Sequence, residues 1–99
     1  MTTDQQVEQL KAAGNAAFSV KQYDEAIALF TQAIALDASN AVFFSNRSAA
    51  YASLSRWQEA LNDAERCIEL RPDWSKGYGR KGAALQGMQR HREALEAYE

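Results

Sequence analysis

Apolar residues in this chain recur every three or four positions, the spacing of a helix that buries one face. Val7, Leu10, Ala13, Gly14 and Ala17 form one such stripe. Ala26, Ile27, Phe30, Ala33 and Ile34 form a second, beyond a break near "VKQYD" that leaves Asp24 as the expected cap. Sliding the chain by 34 positions lays like over like. Leu10 then meets Phe44 and Tyr78, Gly14 meets Ser48 and Gly82, Tyr23 meets Trp57 and His91, and Ala26 meets Ala60 and Ala94. Equivalent breaks fall at "LSRWQ" and "MQRHR", and the turns at 37–40 and 71–73, the latter holding Pro72, separate one unit from the next.

Each unit is therefore expected to be a helical hairpin. The expected fold is all-α, a right-handed superhelical array of antiparallel hairpins with repeats at 7–40, 41–74 and 75–99, the last incomplete. Gly14, Ser48 and Gly82 are expected to let the first helix of each unit approach Ala26, Ala60 and Ala94 on the second. The chain stops at "LEAYE", inside a helix, so it reads as a single domain from a longer protein, with Leu95 and Tyr98 uncovered.

Composition narrows the chemistry. Apolar residues make up 46% and charged residues 24%, with one proline, which suits a helical globular domain. A net charge of −2 argues against a general nucleic-acid binder, so any cationic function must be local. The single cysteine, Cys67, aligns with Ala33 and reads as a buried thiol, leaving neither a disulfide nor a cysteine-rich metal site. His91, aligned with aromatics, reads as a packing residue. With no nucleophile beside a base and no paired acids around a pocket, no enzyme, cofactor or metal is expected. The start "MTTDQQVEQ" has neither the basic nor the apolar region of a signal peptide, and no run of about 18 apolar residues exists to span a membrane. A cytoplasmic location, or also a nuclear one, is expected. "KGYGRKG" matches the G-x-G-x-x-G of dinucleotide-binding turns, but it follows a proline turn and lies within a helix, where that motif needs strand, turn, helix.

The polar residues carry the functional reading. On a helical wheel Lys11, Asn15, Asn46, Lys76 and Arg80 share one arc of about 100°, opposite the packed stripe. In stacked hairpins the first helices line up and their free faces form one concave surface. Ser45, Ala49, Ala83 and Gly87 are small neighbours that leave room for an extended peptide, and Phe18 sits at the edge of the arc. Three cations and two amides, with Glu8 the nearby carboxylate, form an anion site suited to two carboxylates close together. A chain ending in Asp offers such a pair in its side chain and its terminus. Arg47 and Lys81 lie off this arc and are expected to reach around the edge of the packing. Asp63, Glu65, Glu93 and Glu96 read as solvated, Trp57 as interhelical, and Trp74 as half-exposed near the site.

These units resemble the tetratricopeptide repeats, whose 34-residue pattern is W-x₂-L-G-x₂-Y, A-x₃-F and P. The matches are Leu10, Ala13, Gly14, Ala17, Ala26 and Phe30 in the first unit and Phe44, Tyr51, Ala60 and Pro72 in the second. The third offers Tyr78, Gly82, Leu85, Ala94 and Tyr98, while Ala38 and Ala64 depart from the pattern. Lys11, Asn15, Asn46, Lys76 and Arg80 are similar to that family's dicarboxylate clamp, K-x₃-N, N and K-x₃-R. "SNRSAAY" and "RPDWSKGYGRKGAAL" resemble the first module of co-chaperones that link the 70-kDa and 90-kDa heat-shock chaperones. The resemblance implies a non-enzymatic adaptor that binds the C-terminal Glu-Glu-Val-Asp of the 70-kDa chaperone, or also of the 90-kDa one. Phe18, Ser45 and Ala49 would contact residues upstream of that tail. Two alternatives stay open: a clamp domain from another co-chaperone that takes the 90-kDa tail, and a scaffold that grips an internal peptide.

Overall fold

The computed structural model describes residues 1–97 and contains five helices. They are α1 (Thr3–Ser19), α2 (Tyr23–Leu36), α3 (Ala41–Ser53), α4 (Trp57–Leu70) and α5 (Ser75–Ala97). Helix α1 begins with a capping box, in which Gln5 N–H donates to Thr2 Oγ1 and Thr2 N–H donates to Gln5 Oε1. Asn40 caps α3 by accepting from Val42 N–H at 3.0 Å. Asp24 is not the cap of α2. Gln22 takes that position without a side-chain bond, and Asp24 lies in the first turn, where a carboxylate complements the helix dipole.

Two tight turns close the hairpins in the same way. Lys21 and Ser55, 34 positions apart, adopt left-handed φ values of 65° and 59°. Around them Gln22 N–H donates to Ala17 O and Arg56 N–H to Tyr51 O, both at 2.9 Å, in the Schellman arrangement. A left-handed non-glycine residue costs about 1–2 kcal/mol. The returning helix offsets that cost by burying Ala26, Phe30 and Ala33 in unit one, and Ala60, Ala64 and Cys67 in unit two.

Unit three departs from the expected hairpin. Helix α5 runs unbroken through "MQRHR", so Gln89, the equivalent of Lys21 and Ser55, stays helical. The described residues beyond it, 90–97, are all exposed. His91 is consequently exposed and not packed in the manner of Tyr23 and Trp57. Tyr78, Leu85 and Leu95 are also exposed, as expected for Leu95, while Tyr98 lies outside the described residues.

The core is a row of small clusters between successive helices. Ala17, Ala26, Ile27, Phe30 and Ala50 form the first, and Val7, Ala33 and Phe43 the second. Ala41, Phe44 and Cys67 form the third, with Leu70 and Trp74 against it. Because α2 packs on both α1 and α3, stacking fixes the first helices side by side and in one direction.

Close approach depends on small residues at the crossings. A Cβ on Gly14 would lie 2.7 Å from Cε1 of the fully buried Phe30. Ser48, its equivalent, is buried and donates to Ala60 O at 2.8 Å. Gly82 does not share this role, since no described atom comes within 4 Å of a Cβ built there. The two glycines should therefore respond oppositely to the same change. Gly14→Ala should lower stability by about 1–3 kcal/mol through overpacking. Gly82→Ala should raise it by ~0.5–1 kcal/mol through helix propensity alone. Denaturant unfolding followed by circular dichroism reads both, and destabilisation by Gly82→Ala would show that the α5 face is covered.

Candidate functional site

The inner wall is built from α1, α3 and α5, with Lys11 and Asn15 on the middle and second half of α1 and Asn46, Lys76 and Arg80 on the first halves of α3 and α5. Asn46 Nδ2 donates to Asn15 Oδ1 at 3.2 Å, so the amides of units one and two meet directly. Arg80 reaches across from α5 and its Nε donates to Ser45 Oγ at 3.2 Å. Lys11 leans toward Glu8, with Nζ to Oε2 at 3.4 Å, and Lys76 is exposed. Direct contacts thus join Asn15 to Asn46 and Arg80 to Ser45, and neither lysine bonds to the others.

Ser45 is placed differently from its expected position on the groove wall. It is fully buried, and its hydroxyl holds the Arg80 guanidinium from behind. Phe18 and Ala49 line a cavity of about 630 Å³ that also includes Ala52, Ala83 and Arg80. Phe18 stands edge-on to Tyr23, with ring centroids 5.3 Å apart. Gly87 closes the floor, because a Cβ there would lie 2.4 Å from the Trp57 ring.

Arg80 stands apart electrostatically. It is half-buried, and no carboxylate of the described residues pairs with it. Burial pushes its guanidinium below the ordinary value, an effect the Cys67 thiol only partly opposes. A desolvated cation without an anion favours any ligand that brings one. Trp74 is half-buried under the Arg71 guanidinium, 5.0 Å from its ring, at the turn before Lys76.

A second arginine has the opposite environment. Arg47 Nε and Nη2 donate to Asp63 Oδ2 and Oδ1 at 2.8 and 2.7 Å, and Nη1 donates to Thr31 Oγ1 at 3.1 Å. Asp63 is buried and is not a solvated acid. The hydrogen bond to Asp63 outweighs burial and raises the Arg47 guanidinium above its ordinary value. The sequence carries a signal for this pair. Asp63 follows Arg47 by 16 positions, the same offset that sets Phe30 against Gly14 across unit one's hairpin.

Among the described residues no three His, Cys, Asp or Glu converge as metal ligands, and no helix is long and apolar enough to cross a membrane.

The TPR-repeat profile matches residues 14–55. The second TPR domain of human RPAP3, in complex with the HSP70 peptide SGPTIEEVD, superposes with a TM-score of 0.85 at 32% identity, covering 96% of this chain and 79% of that one. The chain belongs to the tetratricopeptide-repeat family. Its fold is the all-α solenoid of that family. Two curated relatives are the heat shock protein sti1 homolog of Schizosaccharomyces pombe, 58% identical, and the Hsp70-Hsp90 organizing protein of Triticum aestivum, 52% identical. Each alignment covers 93% of this chain and 16% of the relative, so the chain spans about one-sixth of the length of those proteins.

Within this tetratricopeptide domain the Arg47–Asp63 pair ties α3 to α4 beneath the site wall. Arg47→Ala should cost about 3 kcal/mol, because it strands a buried carboxylate. Thermal unfolding reads this directly, and a loss no larger than that of Arg66→Ala, whose pair with Glu69 is exposed, would assign the pair no structural weight.

Proposed function

We propose that this domain is a non-enzymatic adaptor that holds the free C-terminal Glu-Glu-Val-Asp tail of a 70-kDa heat-shock chaperone and helps to link it with the 90-kDa chaperone. Lys11, Asn15, Asn46, Lys76 and Arg80 form the clamp. The feature that supports this reading most is Arg80, a half-buried guanidinium without a carboxylate, beside the Asn15–Asn46 amide pair. Two carboxylates on one residue fit that set. One accepts hydrogen bonds from the amides and Lys11, and the other pairs with Lys76 and Arg80. The organising-protein relatives and the chaperone peptide held by a structural neighbour support the choice of tail.

Specificity follows from chemistry that only a chain end supplies. An internal peptide has no terminal carboxylate to satisfy the amides, so it leaves polar donors desolvated. The residues before the final Asp extend along Phe18 and Ala49. Ser45 acts from beneath by holding Arg80 in place. The setting is cytoplasmic, where such chaperone tails are presented.

Titration with the peptide Pro-Thr-Ile-Glu-Glu-Val-Asp tests this reading. The free acid should bind at about micromolar Kd, near −8 kcal/mol. The C-terminal amide should fail to bind, and Arg80→Ala should weaken the acid by ~2 kcal/mol or more, about thirtyfold. Raised salt should weaken it further, because the pairs are only partly shielded from solvent. Equal binding of acid and amide would overturn the clamp, and stronger binding of a tail ending Met-Glu-Glu-Val-Asp would transfer the assignment to the 90-kDa chaperone.

A further inference from the structure

Arg80 rests on a seat that two other helices build beneath it. Ser45 on α3 is fully buried, and its hydroxyl accepts from Arg80 Nε at 3.2 Å. Cys67 on α4, also fully buried, lies near enough to act on the same guanidinium and favours its charged form. Helix α5 comes this close because Gly77 stands one turn before Arg80. A Cβ on Gly77 would lie 3.0 Å from Ile68 Cγ1 and 3.2 Å from Cys67 Sγ. The next residue of α3, Asn46, is turned from Ser45 by about 100° and donates to Asn15 instead.

The seat fixes more than the arginine's location. A guanidinium can pair with a carboxylate through either of two edges, each offering two parallel N–H groups. The side-on edge joins Nε to one terminal nitrogen, and the end-on edge joins Nη1 to Nη2. Arg47 uses the side-on edge, donating from Nε and Nη2 to the two oxygens of Asp63. Arg80 has committed its Nε to Ser45, and its Nη1 and Nη2 donate to none of the described residues. Only the end-on edge is left for a bidentate partner.

We propose that Ser45 is a positioning residue of the clamp, which occupies Arg80 Nε and thereby leaves the Nη1–Nη2 edge to meet the ligand's carboxylate end-on. This rests on the clamp reading, and it names what orients the clamp's half-buried cation. Without the hydroxyl, the Nε–H would lie half-buried without an acceptor and would compete for the carboxylate side-on. The guanidinium would also no longer be fixed before binding, and ordering it on contact would weaken the complex.

Ser45→Ala removes the acceptor without adding bulk. Titrated with the free acid Pro-Thr-Ile-Glu-Glu-Val-Asp, it should bind about fivefold to tenfold more weakly than the unmodified domain. Arg80→Lys keeps the charge but has no Nε–H, so adding Ser45→Ala to it should change the Kd by less than about twofold. Equal weakening in both backgrounds would show that Ser45 only packs α3, and would overturn the proposal. The Arg80 Nε–H resonance of 15N-labelled protein, assigned by its loss in Arg80→Lys, reads the edge directly. It should exchange slowly with water in the unmodified domain, exchange fast in Ser45→Ala, and keep its position when the free acid binds. A large downfield shift on binding would show that the ligand takes Nε, and would overturn the proposal while the clamp stands. Equal binding of acid and amide by the unmodified domain would overturn the clamp, and this proposal with it.

Discussion

The structure depends on how closely two helices can approach within a unit. Phe30 lies fully buried against Gly14, where there is no room for a Cβ, and Ser48 fills the equivalent place with a hydroxyl that bonds to Ala60 O. Opposite these positions stand Ala26 and Ala60, both without exposed surface. Dispersion at such distances holds the hairpins shut, and shut hairpins stack. Stacking in turn brings α1, α3 and α5 side by side, so that polar residues 31 and 35 positions apart in sequence touch as Asn15–Asn46 and Ser45–Arg80. The groove is a consequence of the core.

Two arginines separated by one helix illustrate how burial assigns roles. Arg47 is neutralised by Asp63 and further held by Thr31, so its charge is used internally to join α3 with α4. Arg80 is half-buried with a hydroxyl as its described partner, so its charge remains available. Burial without an ion pair lowers the guanidinium's preference for its charged form, and an incoming carboxylate restores it. Stability and recognition thus draw on the same residue type, and the partner on the neighbouring helix decides between them.

Unit three shows the limit of repetition. The 34-residue period places Gln89 where Lys21 and Ser55 turn the chain, yet α5 continues. Lys21 and Ser55 adopt left-handed backbone at the equivalent places, whereas Gln89 stays helical and the described residues after it are exposed. Tyr78 and Leu85 on α5 are exposed as well.

The helices, their stripes and the arc shared by Lys11, Asn15, Asn46, Lys76 and Arg80 were legible in the sequence, because helical geometry is local and repeats every 3.6 residues. Which polar residue is buried was not legible from one helix at a time. Ser45 lies at a position that looked like groove wall, but Arg80 from a helix 35 positions away covers it. Asp63 looked solvated until Arg47 was found against it. The period alone also misjudged Gly82, where no described atom comes within 4 Å of a built Cβ. The sequence by itself determined periodicity, repeat length and the faces that bear charge. Tertiary structure decided which charges are paired and which turns form, since each is a balance of burial and desolvation between segments distant in the chain.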